Sequence, residues 1–259
     1  MGPRILIKIG GQAFEGEEGF KDLARAIKSN PDLQVIIVHG GGAEITQALK
    51  DADRETVFID GIRVTQAEDV RIVEKVLSGT INTRIANRLT ANGVACRPMS
   101  GKTEHLIIVE PLIRGNREFG FVGRIKQINA NVVLSTLKNR RVPIVSPISA
   151  DINGDSYNVN ADNAAAALAT GARCTDLVFL TDVPGVLVDE QTCLLLTAQK
   201  AKTLIADGTI KAGMIAKLES AFEALEKNVP RVHIARWQGP DTLGNIIAGK
   251  CTTGTTIHK

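Results

Sequence analysis

The sequence predicts an α/β fold with a mainly parallel sheet covered by helices on both faces, and three observations predict it. Short apolar runs, Ile5–Ile9 and Val35–Val38, read as strands buried on both sides. Each ends in glycines, Gly10-Gly11 after the first and Gly40-Gly41-Gly42 after the second. Each is then followed by apolar residues at helical spacing, which gives the strand–turn–helix rhythm of a parallel sheet. The chain has 259 residues, 44% of them hydrophobic, enough to bury the core of one large domain or of two closely joined lobes.

The elements follow in order. Phe20, Leu23, Ala24 and Ile27 mark the first helix, stopped by Asn30-Pro31. A second helix runs from about Ala43 to Asp53. Residues 66–92 read as helical with a break near Gly79, and 106–124 as β-rich with a turn at Gly115-Asn116. A helix over 131–139, a strand at Pro143–Ser146, an alanine-rich helix at Ala161–Gly171 and a strand at Leu177–Leu180 continue the pattern. Asp182-Val183-Pro184-Gly185 turns the chain; helices near Ala198–Ala206 and Ala212–Asn228, a strand at Val232–Ala235 and a last edge strand at Thr255–Ile257 complete it. The second half of the pattern begins near Arg173–Thr175, the boundary favoured between lobes.

Composition removes several classes of function. Net charge is +3, from 31 basic and 28 acidic residues, and aromatics are 3%, so the chain lacks the basic field and stacking surfaces of a nucleic-acid binder. Cys96, Cys174, Cys193 and Cys251 are widely spaced with no Cys-x-x-Cys pair, which points to reduced thiols in a cytoplasmic protein rather than to zinc or disulfides. No apolar run approaches the roughly 20 residues that span a bilayer. The first strand pattern begins at once, leaving no room for a secretory signal.

Four motifs carry the chemistry. Gly10-Gly11 lies at the carboxyl end of the first strand, where open α/β sheets place ligands and bare N–H groups can approach phosphate oxygens. Lys8, inside the apolar run, is costly to bury unpaired and so points into a polar site, unless strand alternation turns it to a solvated edge. Three glycines after His39 exceed what a turn needs and suit an anion-binding nest at a helix start; His39 itself reads as a strand-end hydrogen-bonding residue. Neither a dinucleotide fingerprint nor a nucleophile elbow is present, since Ile45 takes the third glycine position and no Gly-x-Ser-x-Gly occurs. Gly101-Lys102-Thr103 imitates a P-loop ending, but Cys96 stands where the first glycine belongs, so it reads as a polar turn.

In Asn158-Val159-Asn160-Ala161-Asp162, Asn160 is a natural N-cap. Asp162 either compensates the helix dipole or holds Lys8 and Lys217 by charge. Lys217, in Gly213-Met214-Ile215-Ala216-Lys217, is by itself an ordinary exposed helix residue, and Gly213 suggests close approach of another group. Arg63 follows the turn Asp60-Gly61 and can fork onto a carboxylate. Two fixed cations, glycine N–H groups and one carboxylate match phosphoryl transfer, which needs positioning and electrostatics rather than protein covalency.

Taken together, Lys8-Ile-Gly-Gly11, His39-Gly-Gly-Gly42, Asp60-Gly-Ile-Arg-Val-Thr65, Gly120-Phe-Val-Gly123, the Asn158–Asp162 segment, Thr181-Asp-Val-Pro-Gly-Val186 and Gly213–Lys217 resemble the acetylglutamate kinases of the amino-acid kinase superfamily, from about residue 4 to 257. The resemblance implies a three-layer αβα sandwich of the amino-acid kinase fold. Residues 1–174 would form an N-terminal lobe for the amino-acid substrate and dimerisation, and residues 175–259 a C-terminal lobe for ATP. Lys8 and Lys217 would stabilise the transferring phosphoryl group, with Asp162 organising them. Gly41, Gly42, Arg63, Asn158 and Asn160 would hold the acid. Gly10, Gly11, Thr181, Asp182, Val183, Pro184, Gly185, Val186, Thr209, Ile210 and Lys211 would line the nucleotide site.

The implied reaction is phosphorylation of the N-acetyl-L-glutamate side-chain carboxylate in arginine biosynthesis. Mg²⁺ would bind mainly through the nucleotide phosphates, with no metal cluster of the protein's own, and the protein would be a homodimer insensitive to arginine. Ala43 and Ile62 depart from the commoner proline and leucine, and residues 102–110 match poorly. Two alternatives remain at this level. One is a same-fold kinase for carrier-linked aminoadipate or glutamate in lysine biosynthesis, against which the apolar Ile215 and Ala216 argue. The other is a non-catalytic nucleotide-sensing module, against which the joint presence of Lys8, Asp162 and Lys217 argues.

Overall fold

The computed structural model describes residues 2–10, 14, 16–250 and 254–258. Among them an eight-stranded sheet forms the centre. Its order across is Leu195–Thr197, Thr255–His258, Arg231–Ala235, Asp176–Leu180, Arg4–Ile9, Gln34–His39, Val142–Ser146 and Cys96–Ser100. All neighbours are parallel except Thr255–His258 against Arg231–Ala235.

Strand alternation sorts the core into two layers. Leu6, Ile36, Val38, Val145, Leu177 and Phe179 pack on one face with the helices Asn131–Lys138, Ala161–Gly171, Ala198–Ala206 and Ala212–Glu226. Ile5, Ile7, Ile37, Ile144, Val178 and Leu180 pack on the other, under the helices Glu18–Lys28, Gly42–Asp51, Asn82–Ala91 and Asp241–Ile247. Apolar runs without polar alternation are what a sheet covered on both faces requires. The hairpin Ile107–Arg114/Arg117–Ile128 leaves this sheet and closes a small four-stranded ring with Ile148–Ala150 and Ser156–Asn158.

Several expectations need correction. Thr255–His258 is not the edge; it is inserted between Arg231–Ala235 and Leu195–Thr197, and the latter forms the edge. Residues 66–92 do not break at Gly79: the helix Val70–Glu74 widens into a π-helical stretch, Lys75–Ile81, and continues as Asn82–Ala91. A glycine lowers helix propensity, but a widened turn absorbs it without ending the helix. The edge strand Cys96–Ser100 gave no apolar signal, because Pro98 and Arg97 are tolerated only where one side of a strand is free.

Candidate functional site

The site forms at the carboxyl ends of the central strands. Lys8 aligns with Val38 and Phe179 on its neighbours, and shares the face of Leu6, over which the helix Ala161–Gly171 lies. The Asn160 side chain caps that helix, accepting from the Asp162 and Asn163 backbone N–H groups at 2.8 and 3.2 Å. The cap fixes the first turn, and with it Asp162. Alanines along the buried face let this helix lie close to the sheet, within reach of a lysine on a strand.

Asp162 joins the two lysines. Lys8 Nζ stands 2.8 Å from Asp162 Oδ1, and Lys217 Nζ donates to Oδ2 at 3.2 Å. The Lys8 contact is an ion pair whose angles fall outside hydrogen-bond geometry, so Oδ1 has charge compensation without an aligned donor. Burial by itself would raise the Asp162 pKa; the charges of Lys8 and Lys217, with the Lys217 hydrogen bond, outweigh it and hold the carboxyl below its usual range. The carboxylate therefore stays ionised and does not shuttle protons near neutral pH. Two ammonium groups on one carboxylate leave one positive charge in excess. Lys8 and Asp162 line a cleft of about 330 Å³, whereas Lys217 is not among its lining residues and reaches it only through Asp162.

That cleft brings together Lys8, Gly41, Gly42, Arg63, Asn158 and Asp162, and Asn160 also lines it. The helix Gly42–Asp51 begins at the glycine run, so its first N–H groups have no intrahelical acceptor and present partial positive charge. A Cβ at Gly41 would stand 2.3 Å from Ile81 Cδ1 and 2.9 Å from Leu77 Cδ2, whereas one at Gly42 meets nothing within 4 Å. Gly41 thus packs closely on the π-helical stretch, where a Cβ would have to displace the terminal methyls of Ile81 and Leu77, and Gly42 keeps the cleft side open.

Arg63 is buried, and its guanidinium is held by the chain. Nη2 donates to Gly42 O at 2.9 Å and Thr46 Oγ1 at 2.8 Å, Nη1 to Thr56 Oγ1 at 3.3 Å, and the group lies 4.7 Å over the Phe58 ring. Burial lowers its pKa from the ordinary value. Asn158 Nδ2 donates to Thr65 Oγ1 at 3.2 Å. Thr65 is clamped to the hairpin, accepting from Phe121 N at 2.7 Å beside Gly120, whose φ is +66° and whose Cβ would stand 2.3 Å from Thr65 O. Only glycine fits there.

The expected nucleotide residues form a separate group next to the cleft. Gly10 donates its N–H to Leu180 O at 2.9 Å, so close backbone approach, with a Cβ 2.8 Å from that oxygen, explains this glycine. Gly11 and Cys251 lie outside the described residues. Thr181 continues the strand, donating N–H to Ala235 O at 3.0 Å, and its hydroxyl reaches Asp182 Oδ1 at 2.9 Å. Val183 and Pro184 are half-buried; Gly185 and Val186 are buried, and Val186 N donates to Thr255 Oγ1 at 2.8 Å. Thr209 is held by Asp207 Oδ1 at 3.0 Å, the Ile210 side chain enters the core, and exposed Lys211 caps the helix that carries Lys217. Among the described residues no atom outside its own helix and chain neighbours comes within 4 Å of a Cβ placed on Gly213, so none of them makes the close approach expected there.

Sequence reasoning missed Thr46, Thr56, Phe58, Leu77, Ile81 and Asn82. Thr46 was findable, one helical turn beyond Gly42 on the face of the cleft. Asn82 carries no local signal. Among the described residues no group of three or more His, Cys, Asp or Glu is placed to hold a metal ion, and no helix is long and apolar enough to cross a membrane.

A sequence profile of the Amino acid kinase family matches residues 3–236. The chain is 36% identical over 267 residues to the acetylglutamate kinase of Geobacillus kaustophilus (strain HTA426), covering 100% of this chain and 98% of that one. It is 38% identical over 235 residues to the acetylglutamate kinase of a Nitratiruptor species, covering 89% and 82%. The crystal structure of smu.665 from Streptococcus mutans UA159 superposes with a TM-score of 0.84 at 30% identity, over 98% of each chain. The carbamate kinase of Giardia shares the fold, with a TM-score of 0.69 at 16% identity over 100% of this chain and 99% of that one.

Proposed function

The chain belongs to the amino acid kinase family, and on that premise we propose that it transfers the γ-phosphoryl group of ATP to the side-chain carboxylate of N-acetyl-L-glutamate. The product is N-acetyl-L-glutamyl 5-phosphate, and the role is that of an acetylglutamate kinase in arginine biosynthesis. The observation that carries this reading is the Lys8–Asp162–Lys217 bridge, an excess positive charge beside a small cleft that Lys8 and Asp162 line.

The accepting carboxylate is already ionised at neutral pH, so the reaction needs no general base. What it needs is charge neutralisation and alignment, because two anions must meet. Lys8 and Lys217, both held by Asp162, supply the first. Arg63 and Asn158 supply the second by gripping the acid, with the first N–H groups of the Gly42–Asp51 helix beside them. Mg²⁺, held chiefly by the nucleotide phosphates, would neutralise further phosphate charge. Gly10 of the lobe 1–174, with Thr181 to Val186 and Thr209 to Lys211 of a C-terminal lobe spanning 175–259, borders the nucleotide. The lobe 1–174 carries the acid site, and the protein works in the cytoplasm as a homodimer.

Purified protein with MgATP, N-acetyl-L-glutamate and hydroxylamine tests this directly, since an acyl phosphate is trapped as a hydroxamate that ferric ion turns coloured. Turnover is expected with N-acetyl-L-glutamate. Turnover confined to another acid, or to a carrier-linked one, would overturn the substrate, and ADP formation on no acid would overturn the enzyme.

A further inference from the structure

His39 is a buried titratable group, 1% exposed, that the transfer chemistry does not use. It shares the strand period of Ile37, so its ring lies on the sheet face away from Asp162, among the helices Gly42–Asp51 and Asn82–Ala91. Nδ1 is 2.9 Å from Gly40 O, and Nε2 is 3.0 Å from Asn82 Nδ2. A carbonyl only accepts, so Nδ1 carries the hydrogen; an amide nitrogen only donates, so Nε2 is bare. The Asn82 amide is fixed in its turn, with Nδ2 facing Ile144 O at 2.9 Å and Met99 O at 3.3 Å. The flipped amide would set its oxygen against both carbonyls. Burial first of all, then the charges of Arg84 and Lys8, lowers the His39 pKa to about 4 against the opposing pull of Gly40 O and Glu44. The ring is neutral in one tautomer throughout the neutral range.

The consequence falls on one peptide. No cis peptide bond occurs among the described residues, and in a trans peptide C=O and N–H point in opposite directions. Holding the Gly40 carbonyl against the imidazole turns the Gly41 N–H away from it, and Gly41 lines the acid cleft. Lys8 Cε lies 3.9 Å from the position a Gly40 Cβ would take, and Lys8 and Gly41 line the same cleft. Leu77 and Ile81 press on Gly41 from the π-helical stretch, and Asn82 follows directly in the chain. One segment, 77–82, therefore grips this peptide both directly and through His39.

We propose that His39 and Asn82 are positioning residues that lock the Gly40–Gly41 peptide so that the Gly41 N–H points at the oxygens of the transferring group. The inference rests on the kinase reading above. Three variants test it, each checked for a native fold by circular dichroism. H39L removes the donor to Gly40 O, and kcat is expected to fall about 10- to 100-fold, below the loss for deleting an oxyanion donor outright. H39N keeps a donor in the place of Nδ1 and should recover kcat to within about fivefold of wild type, as short amide donors replace Nδ1–H.

N82D gives the sharper signature. A carboxylate at position 82 raises the imidazole pKa and, once the ring is neutral, draws the hydrogen to Nε2, leaving a bare Nδ1 against Gly40 O. Activity of N82D should therefore drop as pH rises through that pKa, a transition absent from wild type. In parallel, the Gly41 amide resonance followed by NMR should shift with MgATP in wild type and not in H39L. A folded H39L with wild-type kcat, or with a wild-type Gly41 shift, overturns the positioning role. A wild type that turns over no N-acetyl-L-glutamate yet shows the Gly41 shift, lost in H39L, overturns only the substrate and supports the role.

Discussion

The two lysines that share Asp162 are seated differently. Lys8 stands on an interior strand, 9% exposed at its side chain, between two neighbours that fix its backbone; Lys217 stands on a helix, 21% exposed, with Gly213 one turn earlier in open space. The same contrast separates the residues at and behind the cleft from the expected nucleotide residues beside it. On the strand side, Arg63, Asn158 and His39 have partners supplied by the chain. On the helix side, Asp182, Thr209 and Lys211 are exposed, and the groups that order the loop lie behind it, at Thr255 and Ala235. The end proposed for the acid is organised by the chain itself; the end proposed for the nucleotide is exposed. Preorganised charge serves the transition state, and an open rim serves exchange of a larger substrate.

The comparison breaks most cleanly at the shared carboxylate. Lys8→Met and Lys217→Met should each lower kcat by at least about 100-fold, the scale for one transition-state donor. If either costs less than about fivefold in the hydroxamate assay, that lysine does not face the reaction. Stability should separate them further. Lys8→Met leaves Asp162 buried beside a single, more exposed cation, so unfolding in urea is expected at lower denaturant than for Lys217→Met.

A pH titration of stability probes the strand side alone. His39 has a folded pKa of about 4 against 6.5 unfolded, so the unfolded chain binds the extra proton. Stability is complete above pH 6.5 and declines as pH falls towards 4, by roughly 3 kcal/mol over the whole span. Asp162 and Asp176 act in a lower window: their carboxyls are held below 3.8, so their contribution is lost only as pH falls beneath that value. Urea midpoints measured from pH 7 to 4 should slope for wild type and lie flat for H39L. An equal slope in both would place the titration elsewhere.

How much of this was readable in the chain depends on where each signal was local. The interior strands, the Asn160 cap and the alanine-rich helix lie within short windows, and the structure has them where apolar period and capping chemistry set them. That Lys8 points inward also followed from the cost of a lone charge in an apolar run. What was not readable is pairing across distance. Asn82 is 43 residues from His39, and Thr255 is 69 from Val186; no spacing announces either contact. The π-helical stretch was hidden for the same reason. It packs on Gly41, 34 or more residues earlier in the chain, while its own sequence shows only Gly79, which suggested a break. Cys96–Ser100 escaped because an edge strand tolerates proline and arginine and so loses the apolar signature.

Arginine chemistry gives a smaller test of the acid end. Arg63→Lys cannot reproduce donation to Gly42 O, Thr46 and Thr56 while also presenting a fork to a carboxylate. KM for N-acetyl-L-glutamate should rise about 10- to 100-fold, the scale of a lost charge-assisted hydrogen bond. KM for MgATP should stay within about twofold, since uniform loss of acid binding touches only that substrate. A parallel rise in both constants would mean that Arg63 braces the whole cleft. Glycine substitutions sharpen the same contrast. Gly41→Ala overpacks Ile81 and Leu77 and should cost about 1–3 kcal/mol. Gly213→Ala enters open space on a helix and should add up to about 1 kcal/mol of stability. A destabilising Gly213→Ala would show that the helix side is as tightly built as the strand side.

The smallest expected effect lies behind the nucleotide loop. Thr255 Oγ1 accepts the Val186 N–H and stands 2.7 Å from where a Gly185 Cβ would be, so the strand Thr255–His258 supports the loop from below. Thr255→Val keeps the shape and removes the acceptor, leaving one buried N–H unpaired. A loop ordered from behind by this contact should then fray at its ligand-facing side. KM for MgATP is expected to rise about threefold to tenfold, matching the net worth of a single neutral hydrogen bond, with KM for N-acetyl-L-glutamate unchanged. The measurement is a pair of saturation curves, one in each substrate. If Thr255→Val moves the acid constant instead, the assignment of Thr181 to Val186 to the nucleotide falls, and the open end of the cleft is serving the acid.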